Sequence, residues 1–590
     1  MRAGGARRAG RDGRDGQAGR SGDDWVLGVD IGTGSVKALA VTLDGRPLAT
    51  SCVEHPMHHP RPGWAENDPD DWLRGVVGAV RQIVAADGVD PGAVAGMCVV
   101  SQRDPWVLLD AGDQPLRTSI AWTDQRSEAD LAEFAGRMGR PWLIDRTGVL
   151  PIAGLGLPTL LWIQRHDPKA WSSTRRLLSP KDYVLFRLTG LVGTDVSTPA
   201  RSVMNDLRTD GWSAEICSAA GIALDLLPEV IWQPWQRVAE LNADAASLLG
   251  LPPGVPVAAG GGDDPSAALG AGAVDIDDLC AGTGTSSDWR LVVGAGEPDT
   301  ELARGDMARH VVADRYLFEV CIESTGSSLR WFRDAFGGGA SYAELVEEAR
   351  SVPPGADGLV FLPFVDGAKR APWYLDGAAG GFFGIASGHT RAHMARALLE
   401  GVAFEYPPTL ELISPGRDPE RPITLVDGEA HADAWNQIKA DVTGVPIRTT
   451  AIRESAALGA AILAGQSVGA FADAADGARR AVRFDRVYEP DQPRHDRYGE
   501  LREHYRGVLD AIRPLFHAAG SHPPASHPDP PASHPNPAAA HPDPPASYPN
   551  PPAAHPDPPA GYPNPAATGP NTSTDRTPQR TGGESHDPIA

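Results

Sequence analysis

The chain reads as an α/β protein made twice over, with two domains around a central cleft and a disordered tail at each end. Three observations predict this. A strand, a Gly-Thr-Gly turn and a second strand occur at Gly32 and again at Gly282, 250 residues later. Two such hairpins at the heads of two half-chains are what a duplicated domain leaves in a sequence, although two unrelated glycine turns are the plain alternative. Residues 255–289 run from an apolar strand through Gly260, Gly261 and Gly262 to Asp263, Asp264 and Pro265, then on to the second hairpin. A carboxylate at a glycine-bounded corner between strand and helix is a place for a ligand. Finally, 590 residues exceed one hydrophobic core, which favours two domains.

In order along the chain, residues 1–24 are rich in Gly and Arg and predict disorder. Residues 26–31 form a buried strand carrying Asp30, Gly32-Thr33-Gly34-Ser35 a turn, and 36–43 a second strand. Asp44-Gly45 signals another hairpin and 47–53 a third strand, so the domain opens as an antiparallel meander. Asp68 before Pro69 predicts the cap of a helix carrying Trp72, Val76 and Val80. Residues 94–100 are a strand with Gln102-Arg103-Asp104 just past its end; 107–110 and 120–122 are shorter strands, the latter followed by Asp124 and Arg126. Side chains beyond strand ends face the ligand crevice of an α/β sheet. Residues 127–250 read mainly helical, with 177–188 and 195–197 less regular.

At the corner of 255–289, Asp264 is expected to cap the following helix with Pro265 as its first residue. In the second half, a helix follows Glu323-Ser324-Thr325-Gly326, a strand spans 358–364, and a helix spans 393–404. A strand at 423–426 leads into Asp427-Gly428-Glu429-Ala430 and a helix through Trp435, and Glu454 opens a helix of small residues. The tail, 517–590, holds 21 of the 55 prolines and a seven-residue repeat starting at His527, His534, His541, Tyr548, His555 and Tyr562. Such a composition cannot bury a core and predicts extended disorder; its histidines read as solvated spacers rather than metal ligands.

The net charge is −23; the first 24 residues carry +2 and the tail −4, leaving −21 on the body. That disfavours nucleic acid or an anionic membrane as a partner. An anionic substrate would need local compensation from amides, Arg or metal. The five cysteines are odd in number and include no C-x-x-C pair, which suits reduced thiols and a cytoplasmic location. No apolar run is long enough for a membrane span. None of the five lysines follows a glycine, so there is no G-x-x-x-x-G-K loop. A carboxylate opposed by bare backbone amides remains, and phosphoryl transfer requires that pair.

These motifs, in this order, resemble the FGGY family of carbohydrate kinases, in the actin-like ATPase superfamily, over residues 25–516. Val29-Asp30-Ile31-Gly32-Thr33-Gly34 is similar to the family's first phosphate loop, and Gly284-Thr285-Ser286 to its second. The segment from Pro62 through Trp64 to Pro69, with Trp72, is similar to the loop and helix near the substrate, and Trp122-Thr123-Asp124-Gln125-Arg126 to a segment of ketose kinases. Pro180-Lys181-Asp182-Tyr183 and Leu188-Thr189-Gly190 follow as in xylulokinases, and Gly261-Gly262-Asp263 matches the catalytic segment. Three places depart from the pattern. Gln102-Arg103-Asp104 is closer to the Gln-Arg-Glu of glycerol kinases than to the Gln-Met-His of xylulokinases. Asp264 stands where those two groups have Gln or Asn. Asp427-Gly428-Glu429-Ala430 stands where Gly-Gly-Gly-Ala is usual.

The resemblance implies a duplicated, ribonuclease H-like fold: an N-terminal domain over 25–271 and a nucleotide-binding C-terminal domain over 272–516. It implies ATP-dependent phosphorylation of a sugar or polyol hydroxyl. Asp263 would be the general base, against the plain reading of a helix-capping aspartate. Asp30 would help hold Mg²⁺, against a strand-end Asp satisfying turn amides. Gly32, Thr33, Gly34, Gly284, Thr285 and Ser286 would line the phosphates, and Gly428, Ala430 and Glu454, with Trp435 and Gly459, the adenosine. Gln102, Arg103, Asp104, Trp64, Asp124 and Asp264 would line the sugar pocket, although Trp64 reads equally as packing and Arg103-Asp104 as an ion pair. A glycerol, polyol or signalling-polyol kinase, and a sensing protein that keeps the fold without turnover, are the alternatives. The acceptor and the oligomeric state stay open, a homodimer among the possibilities.

Overall fold

The computed structural model describes residues 24–296, 304–368, 370, 372–375 and 377–519. Apart from Asp24, the N-terminal extension lies outside the described residues, as does the tail from 520 on with its seven-residue repeat.

The first half is built on a six-stranded sheet. Its strands are β1 (Trp25–Ile31), β2 (Ser35–Thr42), β3 (Pro47–Glu54), β4 (Val94–Ser101), β5 (Arg237–Glu240) and β6 (Pro256–Ala258). They lie in the order β5-β6-β4-β1-β2-β3. The meander pairs antiparallel, while β4 runs parallel to both β1 and β6. The second half is built on a seven-stranded sheet. It comprises β7 (Leu279–Thr283), β8 (Ser287–Val293), β9 (Asp306–Arg309), β10 (Tyr316–Ile322), β11 (Ile423–Val426), β12 (Ile447–Thr450) and β13 (Phe484–Tyr488). Their order is β9-β10-β8-β7-β11-β12-β13.

The two sheets share a plan. In β3-β2-β1-β4-β6 and in β10-β8-β7-β11-β12, an antiparallel triplet is followed by two parallel strands, and one antiparallel edge strand lies beyond. This is the duplicated α/β architecture that the repeated hairpin predicts.

Helices cover the sheets for ordinary reasons. Pro69–Val84 (α1) starts at Asp68, whose carboxylate accepts from the Asp70 amide, and buries Trp72, Val76 and Val80. Asp263–Gly270 (α2), Gly326–Phe336 (α3), Tyr342–Arg350 (α4), Asp433–Thr443 (α5), Ser455–Ser467 (α6) and Gln492–Ala519 (α7) follow. α6 comes from the second half yet lies on the first sheet. Its Ala457, Ala460, Ala461 and Ala464 share a core with Val26, Leu39 and Val100. α2 comes from the first half, and its Ala268 packs with Cys280, Val292 and Val426 of the second sheet. The two helices meet backbone to backbone: a Cβ on Gly459 would fall 1.9 Å from the Ser266 carbonyl oxygen, and one on Gly270 1.9 Å from that of Ser455. Gly459 therefore serves this crossing rather than the adenosine site. Only glycine allows so close an approach.

Three local expectations are corrected. The cap of α2 is Gly262, and the helix begins at Asp263; the Asp264 carboxylate is drawn instead to arginines. Within 177–188, read as less regular, a regular helix Pro180–Thr189 begins, which Ser179 caps through the Asp182 amide. The helix α7 reaches Ala519, past the tail boundary expected at 517, because its buried Tyr498, Tyr505 and Leu509 carry it along the core.

Candidate functional site

The carboxyl ends of three neighbouring strands build one side of the site. The Gln102 amide donates to the Ile31 carbonyl (3.0 Å), and the Ser101 amide to that of Gly261 (3.2 Å). Asp30, the Gln102-Arg103-Asp104 run and the Gly261-Gly262-Asp263 corner thus lie side by side at the sheet's carboxyl edge, where ligands of such sheets bind. The corner is possible because Gly260 takes φ +76°; a Cβ there would fall 1.9 Å from the Val99 carbonyl oxygen. A Cβ on Gly262 would meet the Arg103 Cδ at 2.5 Å, so the arginine stem lies against the corner.

The hairpins supply backbone donors. Gly32 and Gly284, both expected to offer amides, use them to close their own turns, onto the Ser35 and Ser286 carbonyls (3.0 and 2.9 Å). The tips beyond are open, since a Cβ on Gly34 or Gly284 would meet nothing within 4 Å. Thr33 Oγ1 accepts from Trp122 Nε1 (3.0 Å), and Thr285 Oγ1 from Arg330 Nη2 (3.1 Å). Each hydroxyl keeps its own proton to donate.

Charges between the hairpins are paired across the two halves. Arg103 Nη2 donates to Asp264 Oδ2 (2.6 Å) and to Glu319 Oε2 (3.0 Å). Arg290 of β8 bonds the other Asp264 oxygen. Burial alone would raise Asp264, but Arg290, Arg103 and Arg201 outweigh it and hold the carboxyl below the usual carboxylate range. Burial, and then the Asp264 charge next to it, push Asp263 well above that range, with Arg103 opposing. Adjacent carboxylates driven apart in proton affinity are how a site separates a proton acceptor from a fixed charge.

Asp30 is raised by burial to about 6, Lys37 opposing and Asp427 and Asp264 adding. Its Oδ1 is buried without a hydrogen-bond partner. Burial likewise takes Asp104 to about 6 against Arg201 and Arg103. Both amide atoms of Gln102, Arg103 Nη1 and Asp104 Oδ1 are buried without partners. Native interiors seldom leave such groups orphaned, so this run has the character of a ligand pocket.

A cavity of about 880 Å³ opens from the hairpins into the second half, lined among others by Lys37, Gly284, Thr285, Leu329, Val346 and Gly428. That size suits a nucleotide. Asp427 takes the left-handed φ of +67°, which Asp tolerates better than most side chains. Its carboxylate turns back toward Ser455 Oγ (3.1 Å), and Gly428 still faces the cavity. Trp435 also lines it, whereas Ala430 and Glu454 do not. The Ala430 carbonyl instead accepts from Asn436 Nδ2 (2.6 Å).

Trp64 and Asp124 form a separate assembly. The Arg126 guanidinium lies 3.6 Å over the Trp64 ring. Asp124 is fully buried, with its oxygens bonded to Arg126 and to the Ala65 amide (2.6 Å). Neither offers the free face or free oxygen expected of a sugar ligand. Their tie to the site is Trp122, which reaches Thr33.

Sequence reasoning missed Lys37, Arg201, Arg290, Asp306 and Glu319. Lys37 had a signal, since it faces Asp30 across the β1–β2 ladder. The other four come from distant segments and carry no local mark.

Residues 25–270 match the FGGY family of carbohydrate kinases, N-terminal domain. Residues 281–468 match the C-terminal domain of the same family. The chain is similar to the xylulose kinase of Lactococcus lactis, 30% identical over 76% of this chain and 88% of that protein. It is 28% identical to the xylulose kinase of Bacillus subtilis over 83% and 98%. Among solved structures it resembles the xylulose kinase from Rhodospirillum rubrum, with TM-score 0.74 and 30% identity over 84% of this chain and 100% of that one.

Proposed function

The chain belongs to the FGGY family of carbohydrate kinases, and on that premise we propose that it transfers the γ-phosphoryl group of ATP to a hydroxyl of a small sugar or polyol. Xylulose, the acceptor in its relatives' names, is the first to try. The observation that carries the reading is the placement of Asp263. It stands at the head of α2, at the same strand-end edge as Asp30, with a raised proton affinity.

Asp263 takes the proton of the acceptor hydroxyl as that oxygen attacks the γ-phosphorus. The bond from phosphorus to the bridging oxygen breaks, and ADP leaves. A carboxylate with raised proton affinity is a better general base than an ordinary one. The amides of Thr33, Gly34, Thr285 and Ser286 and the two threonine hydroxyls meet the phosphate oxygens. Lys37 adds a cation on the first-half side, and Gly428 borders the adenosine. Gln102, Arg103 and Asp104 bind the acceptor, while Asp264 holds Arg103 and Arg290 in place beside it.

Among the described residues no three His, Cys, Asp or Glu could hold a metal by themselves. The buried, unpartnered Asp30 oxygen fits Mg²⁺ shared with substrate phosphates, the usual arrangement for that ion. Bound there, Mg²⁺ supplies charge neutralisation to the phosphates. We divide the body into an acceptor-binding domain (25–271) and a nucleotide-binding domain (272–516), and take its setting to be the cytoplasm. Among the described residues no helix is long and apolar enough to cross a membrane.

The test is Asp263→Asn, measured as acceptor-dependent ADP release. Loss of general-base catalysis predicts a fall in kcat of about 10²–10⁴-fold, with nucleotide binding and thermal stability near those of the parent. Turnover that survives the change would end the assignment.

A further inference from the structure

Deepening the acceptor-kinase reading, on which it rests, we propose that Arg201, Asp306 and Glu319 are specificity-determining residues that hold the acceptor's hydroxyls remote from the one meeting Asp263. A pocket beside Asp264 is walled by both halves of the molecule, with Leu150, Ile152 and Arg201 from the first and Asp306 and Glu319 from the second. Arg201 Nη1 lies 3.2 Å from Asp306 Oδ2 and 3.5 Å from Glu319 Oε2. Glu319 is only 8% exposed, and its second oxygen, Oε1, has no hydrogen-bond partner. Arg201 Nε, Arg290 Nε and Arg290 Nη1 are likewise buried without one.

Unmatched donors and an unmatched acceptor around one pocket fit a ligand whose groups both donate and accept, as hydroxyls do. The lining holds four arginines and four carboxylates, so its formal charge is zero. An acceptor carrying a carboxylate would set a further negative charge beside Asp306 and Glu319, and like charges placed together are costly. The structure therefore favours a neutral polyhydroxyl acceptor over a sugar acid.

The wall is also tied to the base. The hairpin β9–β10 that carries Asp306 and Glu319 crosses onto the first half. Asp306 Oδ1 accepts from the Leu150 amide (2.8 Å), and the Met307 amide donates to the Gly148 carbonyl (2.7 Å). Arg309 Nε bonds Asp210 (2.7 Å). Between its strands, Val311 lies under the catalytic corner, 2.6 Å from where a Cβ on Gly261 would sit. An acceptor held at this wall is held in register with Asp263, and small misplacements of a reacting group are costly.

The experiment uses the full chain and follows ADP release with a ketopentose, the ketotetrose one CHOH shorter, glycerol and gluconate. The parent enzyme should use the ketopentose most efficiently and gluconate at least about tenfold less well, because like charges set side by side in a site are costly. Glu319→Gln and Asp306→Asn should each raise KM for the ketopentose and shrink its kcat/KM advantage over the ketotetrose by about tenfold. KM for ATP should stay in place. Equal loss on every acceptor, or gluconate matching the ketopentose in the parent enzyme, would overturn the proposal; the parent arm decides if a variant fails to fold. If no acceptor drives ADP release from the parent, the kinase reading falls, and this proposal with it.

Discussion

In the first hairpin Asp30 faces Lys37 across the β1–β2 ladder. In the second, the residue two places before the glycine is Cys280, and it faces Arg290 across β7–β8. The tips are alike, each open beyond its closing amide bond. The shoulders differ in charge. Burial takes the Asp30 carboxyl to about 6, within reach of ionisation near neutrality, and the Cys280 thiol to about 11, where it stays neutral. Arg290 is left to clamp Asp264. A duplicated backbone thus offers two like glycine turns, but only the first carries an acid on its shoulder, facing a lysine, and the second directs its arginine to Asp264.

The largest effect that would break this comparison is on turnover. Asp30→Asn should lower kcat by about 10²-fold or more, as expected for the loss of a charge that stabilises the transition state. Its activity should no longer respond to Mg²⁺ titration as the parent's does. Cys280→Ala should stay within about twofold, since at most a weak sulfur acceptor for Arg290 is lost. Equal losses at both positions would show that the shoulders are not specialised.

A smaller effect sharpens the likeness of the tips. Gly34→Ala and Gly284→Ala fit the fold, because neither new methyl meets an atom within 4 Å. Both should raise KM for ATP by about tenfold, roughly one charge-assisted hydrogen bond, without lowering the melting temperature. An unchanged KM in both would mean that the tips do not hold phosphate.

The smallest effect is on stability. The Asp30 carboxyl, raised to about 6, binds more protons in the folded chain than in the unfolded one between about pH 4 and 6. Its contribution is favourable below that window and lost as pH rises through 6. At pH 7 the ionised, buried group costs at most about 3 kcal/mol. Thermal melts without nucleotide should therefore show Asp30→Asn more stable than the parent at pH 7 and not at pH 4, while Cys280→Ala shows no such dependence. A gain of the same size at both pH values would contradict the raised carboxyl.

Legibility followed locality. The meander, both hairpins, the Gly260–Asp263 corner and the Asp68 cap are written in stretches of a few residues, where propensity and turn chemistry decide the backbone. Asp264 was misread because a carboxylate before Pro265 looks like a cap, and nothing nearby announces Arg103 or Arg290. Trp64 and Asp124 were placed at the sugar for want of seeing Arg126 stacked on one and bonded to the other. Gly459 looked like a ligand glycine, and its partner, the Ser266 carbonyl, lies far away in the chain.

The sequence by itself determined the repeat, the two glycine cradles, the strand-end carboxylates and the family, because each is a short pattern whose meaning is local. Tertiary structure alone decided that α6 of the second half lies on the first sheet. It also decided that Arg201, Asp306 and Glu319 share one wall and that Asp263 and Asp264, chemically identical neighbours, are pushed in opposite directions. The reason is physical: burial and charge act through space, and the arginines that hold Asp264 come from separate segments of the chain.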